Sequence, residues 1–186
     1  MIGVNFVWGR FLAAALALAG TFFGMSATPA LAAPGSAEAD TEIVTRLSLI
    51  KDDDLFFGSI IRGTTAGTVT IAPSGARTAT GGVTLVPSTF QPARFAGYGR
   101  NNQSVQISMS ANSITLDRVG GGATMTVDTW IIGSTPTAQL STVPLVFTIS
   151  SSTGIFNFPL GATLRVGANQ PSGTYTGTFS VTVNYL

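Results

Sequence analysis

The chain has 186 residues, 45% hydrophobic and 9% charged, with nine Lys or Arg, eight Asp or Glu, and neither His nor Cys. Lacking imidazole and thiol, it has no histidine base, Ser-His triad, His-ligated metal, Cys nucleophile or disulfide. A near-neutral, charge-poor surface offers no grip on nucleic-acid phosphates or anionic lipid, and does little to prevent self-association.

The first residues read as an address. Arg10 supplies the lone charge, Phe11 to Met25 is predominantly apolar, and Ala30-Leu31-Ala32 is a small-x-small cleavage site. That order predicts a secretory signal peptide over residues 1–32, cut after Ala32. A membrane anchor is the alternative, but the run is shorter than the roughly 20 residues that a spanning helix needs. Losing Arg10 leaves eight basic side chains against eight acidic ones. Residues 33–41 (A-P-G-S-A-E-A-D-T) show no apolar period and read as a flexible N-terminal segment. Residues 42–186 are then one domain's worth of chain, held by sheet pairing and core packing without disulfides.

Beyond the leader, short β-rich runs alternate with turn signals. Ile43 to Ile50 alternates, with Ile43, Leu47 and Leu49 on one side. Lys51-Asp52-Asp53-Asp54 is expected to turn the chain into the run Leu55 to Ile61. Thr68 to Ile71 is stopped by Pro73-Ser74-Gly75, and Val83 to Val86 follows Gly81-Gly82. Arg94 to Tyr98 and Val105 to Met109 flank the bend Arg100-Asn101-Asn102; Ile114 to Leu116 and Met125 to Ile132 flank Gly120-Gly121-Gly122, a hairpin signal. Val143 to Ile149, Ile155 to Phe158 and Ala162 to Val166 read as three further strands. Thr and Ser dominate the outward positions. The prediction is an all-β fold, an antiparallel immunoglobulin-like β-sandwich.

The C-terminus carries the most regular pattern. From Gly173 to Leu186 the residues Tyr175, Phe179, Val181, Val183 and Tyr185 share one parity, with Thr, Ser and Asn on the other. Successive strand side chains point to opposite faces, so this reads as one long strand with a buried row. Gly177 interrupts the row, a signal for a bulge or close backbone approach. A terminal strand of this kind is readily paired with another chain.

Chemical candidates are few. Asp52, Asp53 and Asp54 are adjacent, so along a strand they would point to alternating sides, and the spaced ligand pattern of a calcium loop is missing. Asp117-Arg118 reads as a surface pair, and Asp128 falls on an exposed parity; nothing places two carboxyls across a cleft. Phe90, Tyr98 and Trp130 read either as a sugar-stacking platform or as core filling. No catalytic, cofactor-binding or metal-binding residues are assigned, and the chain is expected not to be an enzyme.

Several stretches together resemble a known family. Leu55-Phe56-Phe57-Gly58-Ser59-Ile60, the run Ala66 to Arg77, Gly81 to Leu85, Pro92-Ala93-Arg94-Phe95, Met125-Thr126-Val127-Asp128 and the run Val166 to Phe179 are similar, in order, to the secreted bacterial family catalogued as domain of unknown function 4402. The pairing of this start with the end G-T-Y-T-G-T-F-S-V-T-V-N-Y also resembles spore-coat-U-type pilin subunits of chaperone–usher pili. That resemblance implies an incomplete sandwich finished by a neighbour's N-terminal segment, and a periplasmic chaperone that reads the C-terminal strand. The chain departs from it in having no cysteine pair and in carrying Glu38, Asp40 and Glu42 before Ile43. Ile43, Leu47 and Leu49 are therefore either a donor segment or this domain's own first strand.

The expectation is an exported structural or adhesive protein of the periplasm, cell surface or exterior. It would assemble by β-strand addition through Tyr175, Phe179, Val181, Val183 and Tyr185, with copies of itself, other surface subunits and a periplasmic chaperone as partners. The alternative is a self-contained secreted module that binds carbohydrate or a surface.

Overall fold

A computed structural model describes residues 46–134 and 136–186. Among them there is no helix, and the strands pair antiparallel throughout. In chain order they are β1 (Ser48–Asp53), β2 (Ile60–Ile61), β3 (Gly67–Ile71), β4 (Arg77–Gly81), β5 (Thr84–Leu85), β6 (Ala93–Tyr98), β7 (Ser104–Met109), β8 (Ile114–Arg118), β9 (Thr124–Ile132), β10 (Ala138–Leu140), β11 (Leu145–Thr148), β12 (Ile155–Val166), β13 (Tyr175–Thr176) and β14 (Val181–Tyr185). The predicted hairpin at Gly120-Gly121-Gly122 is present as β8–β9, whereas Pro73-Ser74-Gly75, read only as the end of a strand, also turns the chain into β4, which was not expected.

One layer is a nine-stranded sheet whose main path runs β1-β6-β12-β9-β8-β13, with β3, β4 and β10 joined to its flanks. The other is the three-stranded sheet β11-β7-β14; β2 and β5 form a small separate pair. A single apolar cluster unites residues of both main sheets, from Val69, Ile71, Val127, Trp130, Ile132 and Leu160 to Val105 and Ile107. The arrangement is an all-β, antiparallel, sandwich-like fold. Each large apolar side chain buried there contributes on the order of 1.5–3 kcal/mol.

β12 organises the larger sheet. Its first half pairs with β6, its second half with β3, and β9 runs along its other edge. The sequence suggested two strands here because Pro159 and Gly161 are strand breakers. They are instead fitted to the change of neighbour. A Cβ on Gly161 would stand 2.2 Å from the Ile71 carbonyl oxygen, so glycine alone lets β3 close in where β6 departs. Beyond that point Gly161 to Leu164 is buried on both faces.

β9 contains the second device. Gly161 pairs with Ile131 and Thr163 with Asp128, so two β9 residues oppose one on β12. Thr129 takes a positive φ of 53° at this bulge. The extra residue switches parity: Met125 and Val127 point inward before it, Trp130 and Ile132 after it, and Asp128 is left on the outer face. Trp130 is 1% exposed, which makes it core.

Two expected strand boundaries are corrected. Lys51 to Asp53 is not a turn but the end of β1, paired with β6 across a register shift. Leu55 to Ile61 is mostly irregular, held by the Phe56–Gln91 bridge and the short β2–β5 pair.

Candidate functional site: the open edges of the three-stranded sheet

The C-terminal row does not form one strand. Tyr175 and Thr176 pair with β8 in the large sheet, whereas Val181 to Tyr185 pair with β7 in the small one. Between them the chain crosses from one layer to the other. Gly177 marks the crossing by close approach: a Cβ there would lie 2.5 Å from the Thr115 carbonyl oxygen. Phe179 reaches into the core during the crossing, with its ring centroid 4.8 Å from Trp130 and 6.3 Å from Phe95. Tyr175, Phe179, Val181, Val183 and Tyr185 do share the inward side and pack on the core, but all five remain half-buried.

Hydroxyls fix the two ends of this segment. The Tyr175 hydroxyl donates to the Pro171 carbonyl at 2.6 Å and accepts from Gln170 Nε2 at 2.9 Å. The Tyr185 hydroxyl accepts the Arg100 amide at 2.8 Å.

Among the described residues, the small sheet turns backbone groups outward at both sides. The Ser110 amide donates to the Ser180 carbonyl, and the Leu186 amide to the Ser104 carbonyl, so the even residues of β7 face β14. The Ile149 amide, one residue past β11, donates to the Gln103 carbonyl, so the odd residues face β11. Backbone groups of a strand alternate in direction. Paired through this register, Val181, Val183 and Tyr185 turn their N–H and C=O groups away from β7 on one side. Val146 and Thr148 do the same on the other. Among the described strands neither β11 nor β14 has a second neighbour.

The outer edge of β1, which among the described strands pairs only with β6, contrasts with these. It ends in Lys51-Asp52-Asp53-Asp54 and carries a register shift at Lys51/Asp53; Lys51 pairs with Asp54 at 2.5 Å and Asp53 with Arg94 at 3.4 Å. Charges and bulges are the devices that stop edge-to-edge pairing. β11 and β14 have neither. No Asp, Glu, Lys or Arg occurs from Thr129 to Leu164 or from Val166 to Leu186. Exposed Val143 and Val146 flank the β11 edge, at 68% and 59%. A cavity of about 350 Å³ opens between the sheets beside it, with Ile107, Ile132, Phe147, Phe156 and Phe158 among its lining. The reading of the sequence missed the β11 edge, although the uncharged stretch that marks it was there to be seen.

The remaining candidates fall elsewhere. Ile43 lies outside the described residues; Leu47 and Leu49 pack on the chain's own core at and just before the start of β1. Asp117 and Arg118 do not form the expected pair: Arg118 donates to the Ser172 and Gly121 carbonyls. Asp128 accepts from Arg165 Nε at 2.9 and 3.1 Å on the outer face of the large sheet, and this hydrogen bond and charge raise the Arg165 pKa above its ordinary value. Phe90 lies under the Arg77 guanidinium, 4.4 Å from its carbon. Tyr98 is 46% exposed on an outer face beside Ile50 and Ile155. Among the described residues no group of three or more His, Cys, Asp or Glu is placed to hold a metal ion, and no helix is long and apolar enough to cross a membrane.

No curated protein and no solved structure matches the chain. A family model does, over residues 47–185, from the entry of β1 to the last residue of β14. The chain therefore belongs to the family described as domain of unknown function DUF4402.

Proposed function

We propose that this is an exported structural protein of the cell surface, periplasm or exterior, that it assembles by β-strand addition, and that it performs no catalysis. One observation carries the reading: β14 is an uncharged edge strand whose Val181, Val183 and Tyr185 direct their backbone groups outward while their side chains are only half-buried. An added strand would gain main-chain hydrogen bonds and finish covering that row. The resemblance to spore-coat-U-type pilin subunits supports the same mode, with a periplasmic chaperone holding β14 before assembly. Within the chain, β1 already occupies its place beside β6 through Leu47 and Leu49, so an added strand would not need to be β1.

The test is the chain as isolated from its producing cells, run on an SDS gel with and without heating. A ladder that collapses on heating is expected. Val183→Pro, which removes an amide unused within the fold, should abolish the ladder while keeping a cooperative unfolding transition. A single monomer band from the parent chain would overturn the proposal.

A second reading, a self-contained carbohydrate- or surface-binding module, is favoured by the exposed Tyr98 beside Ile50 and Ile155. It requires that Tyr98→Ala weaken binding to immobilised polysaccharide while leaving the unfolding midpoint in place.

A further inference from the structure

We infer that the β11 edge of one copy receives the β14 edge of the next, so that the three-stranded sheets of successive copies join head to tail. This rests on the assembly reading above and names the surface that β14 meets.

The edges differ in how they are guarded. The β1 edge of the nine-stranded sheet carries Lys51, Asp52 and Asp53 with a bulge; the β4 edge begins at Arg77, and β13 is two residues long. The two edge strands of the small sheet carry no Asp, Glu, Lys or Arg. Neither repels a second copy, and each is long enough to pair.

Geometry then selects the pairing. β11 and β14 are both antiparallel to β7, so they run in the same direction. A copy shifted along the sheet without being turned over brings its β11 parallel to β14. Parallel pairing sets a residue whose backbone groups face the partner opposite one whose groups face away. Val183 then lies opposite Leu145 or Phe147, and all three point their side chains inward, so the inner faces run on continuously. With Val183 opposite Phe147, the Val183 amide donates to the neighbour's Val146 carbonyl, and its carbonyl accepts the neighbour's Thr148 amide. The neighbour's Val146 amide donates to the Val181 carbonyl, and the Tyr185 amide to the neighbour's Thr148 carbonyl. Every outward backbone group of Val146 and Thr148 is satisfied.

Self-pairing of β11 about a two-fold axis at Val146 does less well. With Val146 on the axis, Thr148 faces the neighbour's Pro144, which has no N–H to give, and the Thr148 carbonyl is left without a donor. A heterologous contact of β14 with β11 also leaves one edge of each copy open to the next, as a fibre requires.

Complementary blocked variants test this. Val146→Pro removes an amide that faces away from β7, and Val183→Pro does the same on the opposite edge. Each variant keeps one edge intact. By sedimentation velocity each alone should be monomeric, and an equal mixture should give 1:1 dimers and nothing larger. If Val183→Pro alone dimerises, or Val146→Pro alone does, edges pair with their own kind and the inference is overturned. If Val146→Pro assembles like the parent while Val183→Pro does not, strand addition stands but β11 is not its partner. If both assemble like the parent, both readings fall. Should Val146→Pro lose cooperative unfolding, Val146→Lys with Thr148→Lys guards the same edge by charge and must give the same result.

Discussion

Trp130 and Phe179 meet with ring centroids 4.8 Å apart and planes inclined by 38°. One sits just past the bulge of β9, and the other lies on the crossing between β13 and β14. The contact is therefore what fastens the C-terminal segment to the core of the larger sheet. Phe179→Ala removes it together with the edge contact to Phe95. Full burial would put the loss near 3–5 kcal/mol; because Phe179 is half-buried, about 2–3 kcal/mol is expected. Chemical denaturation measures this, and an unchanged midpoint would show that the crossing is not anchored here.

The bulge makes a prediction of its own. A β-branched residue at positive φ carries strain of about 1–2 kcal/mol, and Thr129 is such a residue. Asn tolerates that conformation better, so Thr129→Asn should hold or raise the melting temperature despite losing the hydroxyl bond to Asp128. Deleting Thr129 would restore simple alternation with Asp128 outward and Trp130 still inward opposite Ala162, so cooperative unfolding should survive it.

These residues also show why some of the fold could be read from the sequence and some could not. Turn chemistry at Gly120-Gly121-Gly122 is local, and so the β8–β9 hairpin was legible; Pro73-Ser74-Gly75 was legible as a stop, but β4, a run of Arg, Thr, Ala and Gly with no apolar row, was not. The terminal apolar row was legible as a face but not as two strands, because the switch from β8 to β7 depends on partners distant in sequence. Asp128 and Trp130 share a parity in the sequence; only the pairing with β12 shows that they part company. Lys51 to Asp53 looked like a loop because charge usually marks one, whereas pairing with β6 holds it extended at a guarded edge. For the site, the β14 edge was visible and the β11 edge was not weighed.

Gly161 tests the account of β12. The nearest atom to an added Cβ is backbone, the Ile71 oxygen at 2.2 Å, with Ala72 and Pro73 backbone atoms at 2.9 Å. No side chain can swing away to make room. Gly161→Ala should therefore cost about 3 kcal/mol or more, at the upper end of overpacking substitutions. Gly75→Ala is the control for glycine loss as such: a Cβ there meets nothing within 4 Å, and its positive φ of 88° limits the cost to local strain of about 1–2 kcal/mol. If the two variants melt together, the change of neighbour along β12 does not depend on close approach.

The ion pair on the outer face gives the pH prediction. Asp128 raises the Arg165 pKa, chiefly through the hydrogen bond from Nε and then through its charge. A cation whose folded pKa is raised stabilises the fold fully below the unfolded value and loses that contribution only as pH climbs through the folded one. For arginine, both lie beyond the range in which most proteins remain folded. Arg165→Met should thus shift the melting temperature by a small amount that stays constant from about pH 8 to about pH 11. The guanidinium lies on the solvent side, so the shift should shrink as salt is added. A difference that instead opened up across that alkaline window would mean that the pair is coupled to some other titrating group.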